Sequence, residues 1–190
     1  ERELLGIYDE AIAGLGAPVP PSDSVVFATP RSGPVRFRHL ASDRPIEDGE
    51  LVVLAPGAIY AGYEAGMART RVVGTSGAPR AGALMDACTS SMDALLAACR
   101  PGNTGRDLYE AWKAAGNAPS RVPLAYATGI GAEAPIIGLG LGASERLEAG
   151  MVLCVQSWVA EDGTGGCLER ATVHLRDTGP VTLTRYRRLP

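Results

Sequence analysis

The carboxylate whose neighbours point most directly to chemistry is Glu169. It stands in an apolar run at 167–175, where Cys167, Ala171 and Val173 share its face if the run is a strand. A carboxylate in that setting must find a donor or a cation, and a poised one serves as general acid, general base or ligand anchor. The bland alternative is a structural carboxylate paired with Arg69 or another cation. His39 closes the alternating run Val35-x-Phe37-x-His39, a place that often holds a satisfied core histidine. His174 falls on the face of Arg170 and Thr172, away from Glu169, and reads as structural. Serine hydrolase chemistry has no support: no Gly-x-Ser-x-Gly elbow exists, and Ser90 and Ser91 fall inside a helical pattern. The Gly-rich stretch 129–142 lacks a Gly-x-Gly-x-x-Gly with an acidic partner, so a phosphate cradle is not expected. The four cysteines form no Cys-x-x-Cys pair and read as reduced, buried thiols of a cytoplasmic protein.

These residues need a scaffold, and the chain is long enough to build one. Its 190 residues are 46% apolar and 21% charged with a net charge of −3, which suits one soluble domain with a real core. No basic block or stripe appears, so nucleic acid is not an expected partner. No apolar run approaches the roughly 20 residues of a membrane span. No signal peptide is visible, although the chain opens at Glu1 without a Met, which leaves room for an upstream region. Apolar residues at helical spacing predict helices over 1–16, 80–100 and 104–115. The second carries the clearest stripe, Leu84, Cys88, Met92, Leu95 and Cys99, and Thr104 with Asp107 resembles a capping box opening the third. Strands are expected at 24–28, 35–39, 51–55, around 59–63, 67–73, 124–128, 151–156, 167–175 and 181–183, with a Pro-rich turn at 17–21.

The chain also looks like itself. Residues 1–5 followed by a helix and Gly16 mirror 105–109 followed by a helix and Gly116, at an offset near 104. The run 49–55 mirrors 150–156 at an offset of 101. Two unrelated elements keeping nearly one offset point to a duplication. The expected result is two αβ halves about a pseudo-twofold axis, with Ala55 equivalent to Gln156 and Gly66 to Glu169.

The order and spacing of several short motifs then resemble a known family. They are residues 42–52, Gly62-Tyr63, Arg69-Thr70, Arg100-Pro101-Gly102, Gly129-Ile130-Gly131 and 148–152. Together they resemble the pita-bread metallopeptidases: methionyl aminopeptidase, Xaa-Pro aminopeptidase, prolidase and their relative creatinase. The resemblance implies an α+β pita-bread fold, a duplicated, mostly antiparallel curved sheet covered by helices. It treats 1–190 as a single such domain that lacks its first helix and any N-terminal domain. It also implies that many relatives dimerise, so a homodimer is expected.

The family's metal ligands are two aspartates, a histidine and two glutamates. Carried over one by one, they fall on Ala55, Gly66, Thr128, Gln156 and Glu169, so only the last survives. A second histidine of the family would fall near Pro135 and is absent. Two divalent ions need several carboxylate oxygens, so no metal and no other cofactor is expected. The resemblance to creatinase permits metal-free C–N bond hydrolysis, with His39 and Glu169 as the catalytic pair. Gln156, Thr128, Arg69 and Trp158 would then line the site for a small amino-acid-like or short-peptide ligand. Two other readings stay open: a non-catalytic module that binds a peptide or protein, and a repurposed biosynthetic enzyme. A catalyst must bring His39 and Glu169 to one pocket, whereas a binding module is free to fill the old site with apolar side chains.

Overall fold

A computed structural model describes residues 1–19, 21, 24–75 and 78–185. Among the described residues three helices, α1 (Arg2–Gly14), α2 (Ala78–Ala98) and α3 (Gly105–Ala114), accompany ten strands. The strands are β1 (Val25–Thr29), β2 (Leu51–Ala55), β3 (Gly57–Tyr60), β4 (Tyr63–Gly66), β5 (Arg69–Val72), β6 (Ala125–Gly129), β7 (Gly131–Ile137), β8 (Val152–Glu161), β9 (Gly165–Arg176) and β10 (Gly179–Thr182). They form sheets of order β1-β2-β5 and β10-β9-β8-β6-β7 and a hairpin β3-β4, with every pairing antiparallel. This is the expected α+β architecture. None of the described helices is long and apolar enough to cross a membrane.

The duplication is visible in the order of elements. α1-β1-β2-β5 is repeated as α3-β6-β8-β9, and the two inner strands, β5 and β9, face each other. They meet at one antiparallel bridge, Ala68 with Arg170. On one side of it Thr70 Oγ1 donates to the Leu168 carbonyl (3.1 Å) and accepts from the Leu168 N–H (2.8 Å). On the other side Thr172 Oγ1 donates to the Gly66 carbonyl (2.9 Å) and accepts from the Gly66 N–H (3.3 Å). The pairs 66/168, 68/170 and 70/172 all keep an offset of 102 residues. The local axis therefore runs through the Ala68–Arg170 bridge. It makes Gly66 equivalent to Leu168, and Glu169 to Met67, one residue away from the equivalence read in the sequence.

Burial explains the rest of the architecture. The expected stripe of α2 is the core of the molecule: Leu84, Cys88, Met92, Leu95 and Cys99 are all buried. Its C-terminal part packs with α3, through Leu108 and Trp112, onto β6, β8 and β9, while its N-terminal part covers Leu51 of β2. The capping box at the start of α3 is present, with the Thr104 backbone N–H donating to Asp107 Oδ2 at 2.6 Å. All four cysteines are buried thiols outside any disulfide, and burial pushes the Cys99 thiol up to about 12.

Two expectations are corrected. Residues 35–39 are not a strand. Their alternation reflects Val35 and Phe37 packing on the core, but the described backbone there pairs with no strand, and the Val35 N–H donates to Asp162 Oδ1 (2.8 Å) instead. The strand expected around 59–63 is broken at its middle by a turn, where Ala61 and Gly62 adopt φ of 49° and 85°, the conformation of a tight hairpin. The Gly-rich stretch after β6, to which the sequence assigned no element, holds strand β7. The turn at 17–21 lies partly outside the described residues.

Candidate functional site

The long strands β8 and β9 decide which side chains share a surface. Gln156 pairs with Arg170 and Trp158 with Leu168, so these four project to one face. Ser157 pairs with Glu169 and Val159 with Cys167, and these project to the other, beneath α2. On the first face the β9 side chain beside Gln156 is Arg170. A Cβ built on Gly66 would lie 3.5 Å from Arg170 Cδ and 3.7 Å from Cys154 Sγ, so Gly66 looks into the same place. Thr128 also belongs there, its Oγ1 donating to the Glu64 carbonyl at 3.0 Å. Ala55 is fully buried in an apolar cluster with Val25, Phe27, Val53, Trp158 and Leu168.

Arg170 is thus the central group of the face. It is 1% exposed, and its Nε donates to Gln156 Oε1 at 2.9 Å. Gln156 is 2% exposed and its Nε2 donates to the Pro123 carbonyl (2.9 Å), which fixes the amide so that its oxygen meets the guanidinium. Glu64 is a second buried group of this face, two residues before Gly66 on β4 and so on the same side of the strand. A Trp158 ring carbon would lie 2.1 Å from any Cβ at Gly166, so the outer end of the indole closes on a glycine that no larger residue could replace.

Glu169 lies apart from this assembly. Its Oε2 accepts from Thr89 Oγ1 on α2 (3.1 Å), and Arg69 Nη1 stands 3.9 Å from its Oε1. Arg69 itself donates to the carbonyls of Ala68 (2.6 Å) and Arg170 (2.9 Å), clamping the bridge between the halves. The Cys88 thiol beside Glu169 is held below its ordinary value, chiefly by a hydrogen bond with Cys167. Glu169 in this setting is a helix-to-sheet tether. Thr89→Val is expected to cost about 1 kcal/mol in urea unfolding.

His39 lies in yet another place. It is exposed, its ring packs on Phe37 (centroids 4.9 Å), and it lines a cavity of about 770 Å³ with Phe37, Trp158, Arg36, Arg121 and Asp162. Glu169 is not among the residues lining that cavity. The expected site therefore splits. Gln156, Thr128 and Trp158 share one face, His39 joins them only through Trp158, and Glu169 and Arg69 stand behind the sheet. The residues the sequence did not single out are Arg170 and Phe37. The pairing of β8 with β9 would have exposed the first, but pairing register is not written in a single strand.

Comparison with known proteins places this geometry. The sequence profile of metallopeptidase family M24 matches residues 1–182. The chain belongs to metallopeptidase family M24. Among solved structures, prolidase from Pyrococcus furiosus superimposes with a TM-score of 0.85 at 26% identity, over 99% of this chain and 56% of that one. Prolidase from Pyrococcus horikoshii OT3 gives 0.84 at 23%, over 99% and 55%. X-Pro aminopeptidase from Thermotoga maritima MSB8 gives 0.85 at 21%, over 100% and 54%. The chain spans about half the length of these solved relatives. A search of curated proteins finds no match.

Against the two-metal site that M24 membership brings to mind, the donors on the Gln156 face fit poorly. Ala55 and Gly66 offer no ligand atom, Thr128 and Gln156 offer a hydroxyl and an amide, and Arg170 brings a fixed positive charge. One carboxylate, Glu64, cannot offset four further positive charges beside a guanidinium. Among the described residues no three His, Cys, Asp or Glu side chains gather into a metal-holding group.

Proposed function

We propose that this M24 domain binds a small organic ligand without metal and without hydrolysing it, a peptidase fold kept as a recognition module. The observation that carries the reading is the Arg170–Gln156 pair at the junction of the halves. A guanidinium is a cation tied to the backbone. Where it stands, a divalent ion would meet repulsion instead of the carboxylate field it needs. The apolar packing of Ala55 with Phe27, Leu168 and Trp158 supports the same reading, since it fills the interior face with groups that neither bind water nor move protons. The separation of His39 from Glu169 removes the pair that metal-free C–N hydrolysis would use, and this favours binding over a creatinase-like reaction.

The test is elemental analysis of protein purified without chelator, followed by manganese, cobalt and zinc add-back. Thermal melts and Xaa-Pro dipeptide hydrolysis are read at each step. The expected result is no stoichiometric metal, no rise in melting temperature on add-back and no turnover. A ligand that binds only the folded state stabilises it by RT ln(1 + [L]/Kd), so metal at a hundredfold excess over its Kd would add about 2.7 kcal/mol and could not be missed. Stoichiometric metal, or metal-dependent turnover, overturns the reading.

A further inference from the structure

The chain contains two Phe and two Trp. Both Phe and Trp158 meet in one cluster: Phe27 and Phe37 lie 5.4 Å apart, Phe37 and Trp158 5.3 Å, and Phe27 and Trp158 5.9 Å. Phe37, Trp158 and His39 turn one side of this cluster into the wall of the 770 Å³ cavity. A smaller recess of about 140 Å³ behind it shares Trp158 and Arg121 and reaches Trp112. The cavity is large enough for a small molecule.

Its charge is as telling as its shape. Arg36 and Arg121 line it, and among the described residues neither forms an ion pair. The acid at the rim, Asp162, is already engaged by the Val35 N–H at 2.8 Å. A cavity with two available guanidinium groups, on a chain whose net charge is −3, is a local feature rather than a reflection of overall charge. Aromatic walls alone would suit a quaternary ammonium ion, but the two arginines repel one. They suit a carboxylate, which a guanidinium grips through two parallel hydrogen bonds.

We propose that this cavity binds an aromatic carboxylate, with its ring against Phe37 and Trp158 and its carboxylate held by Arg36 and Arg121. The proposal rests on the reading that this face binds rather than hydrolyses. The test titrates benzoate, indole-3-acetate and hippurate into the full chain. Binding is followed by calorimetry, and for benzoate and hippurate also by tryptophan fluorescence, which Trp158 reports. Hippuramide and benzyltrimethylammonium serve as neutral and cationic counterparts. At least one of the acids is expected to bind saturably and to weaken with added salt, while both counterparts bind at least about ten-fold more weakly. The variant Arg36→Ala/Arg121→Ala, verified as folded by its melting temperature, is expected to lose about ten-fold in affinity for the acid. Arg36→Lys/Arg121→Lys is expected to recover part of it. Equal binding of hippuramide, an unchanged affinity in the double variant, or no saturable binding of any of the three acids overturns the proposal. Dipeptide turnover with metal in the same preparation would overturn the non-hydrolytic reading alone, since the acid titrations are read without metal.

Discussion

Gln156→Leu is expected to be among the most damaging single changes in this protein, costing about 3 kcal/mol or more, whereas Gln156→Leu/Arg170→Met is expected to regain most of that loss. Gln156 Oε1 is the acceptor for Arg170 Nε at 2.9 Å, and both groups are almost completely buried. Leucine preserves the volume but removes the acceptor, and a buried charge that loses one of its hydrogen-bond partners carries more of its desolvation cost. Replacing both members with apolar residues of similar size removes the cost along with the interaction, and buried charged groups often prove replaceable in this way. Urea unfolding of the two single variants and the double variant gives the coupling directly. Simple additivity would show that Arg170 does not depend on Gln156, and would weaken the argument that this pair holds the junction of the halves.

The same pair shows what the sequence could and could not disclose. The duplication, the α2 stripe, the capping box and most of the strands were legible, because each rests on periodicity or spacing along the chain. The grouping of Cys167, Glu169, Ala171 and Val173 on one face, and of Arg170 and Thr172 on the other, was legible for the same reason. Which face looks into the site was not. That depends on Gln156 lying opposite Arg170 rather than Glu169, and a one-residue change of register turns every side chain of a strand to the other side. A motif match that is right to within one residue is enough to recognise M24 and is enough to exchange a carboxylate for a guanidinium.

The segment 34–42 carries the second lesson. Its alternation looked like a strand, yet alternation records only which side chains are buried. No neighbouring described strand offers its backbone a ladder. Its order comes from side chains instead: Asp162 on the Val35 N–H, Phe37 in the aromatic cluster, and Glu1 on both flanks of His39. The wall of the proposed ligand cavity is therefore held by a few side-chain contacts.

That dependence leads to an expected loss of stability in acid, with Glu1 as a principal cause. Its side chain is enclosed, with Oε1 accepting from the Ala28 N–H (3.0 Å) and from Arg38, and Oε2 accepting from the Ser42 N–H (2.8 Å) and Oγ (2.7 Å). Burial alone would raise its pKa, but these donors outweigh burial and bring it from 4.5 to about 2. A carboxylate with a depressed folded-state pKa stabilises fully above its unfolded value, and the contribution is lost as pH falls through the folded one. The window therefore runs from about 4.5 down to about 2. At about 1.4 kcal/mol per pKa unit, less the screening around the partly exposed Arg38, the contribution is of the order of 2–3 kcal/mol. Glu1→Gln is expected to lower stability at pH 7 by that amount and to flatten the acid limb between those two pH values. Urea unfolding from pH 7 to 2.5 measures both. Because Arg38 and Ser42 bracket His39, the same variant is expected to weaken binding of the aromatic acid at neutral pH while leaving the α2 core intact. An acid limb as steep in Glu1→Gln as in the parent chain would move the cause to other carboxylates, and would detach Glu1 from the cavity wall.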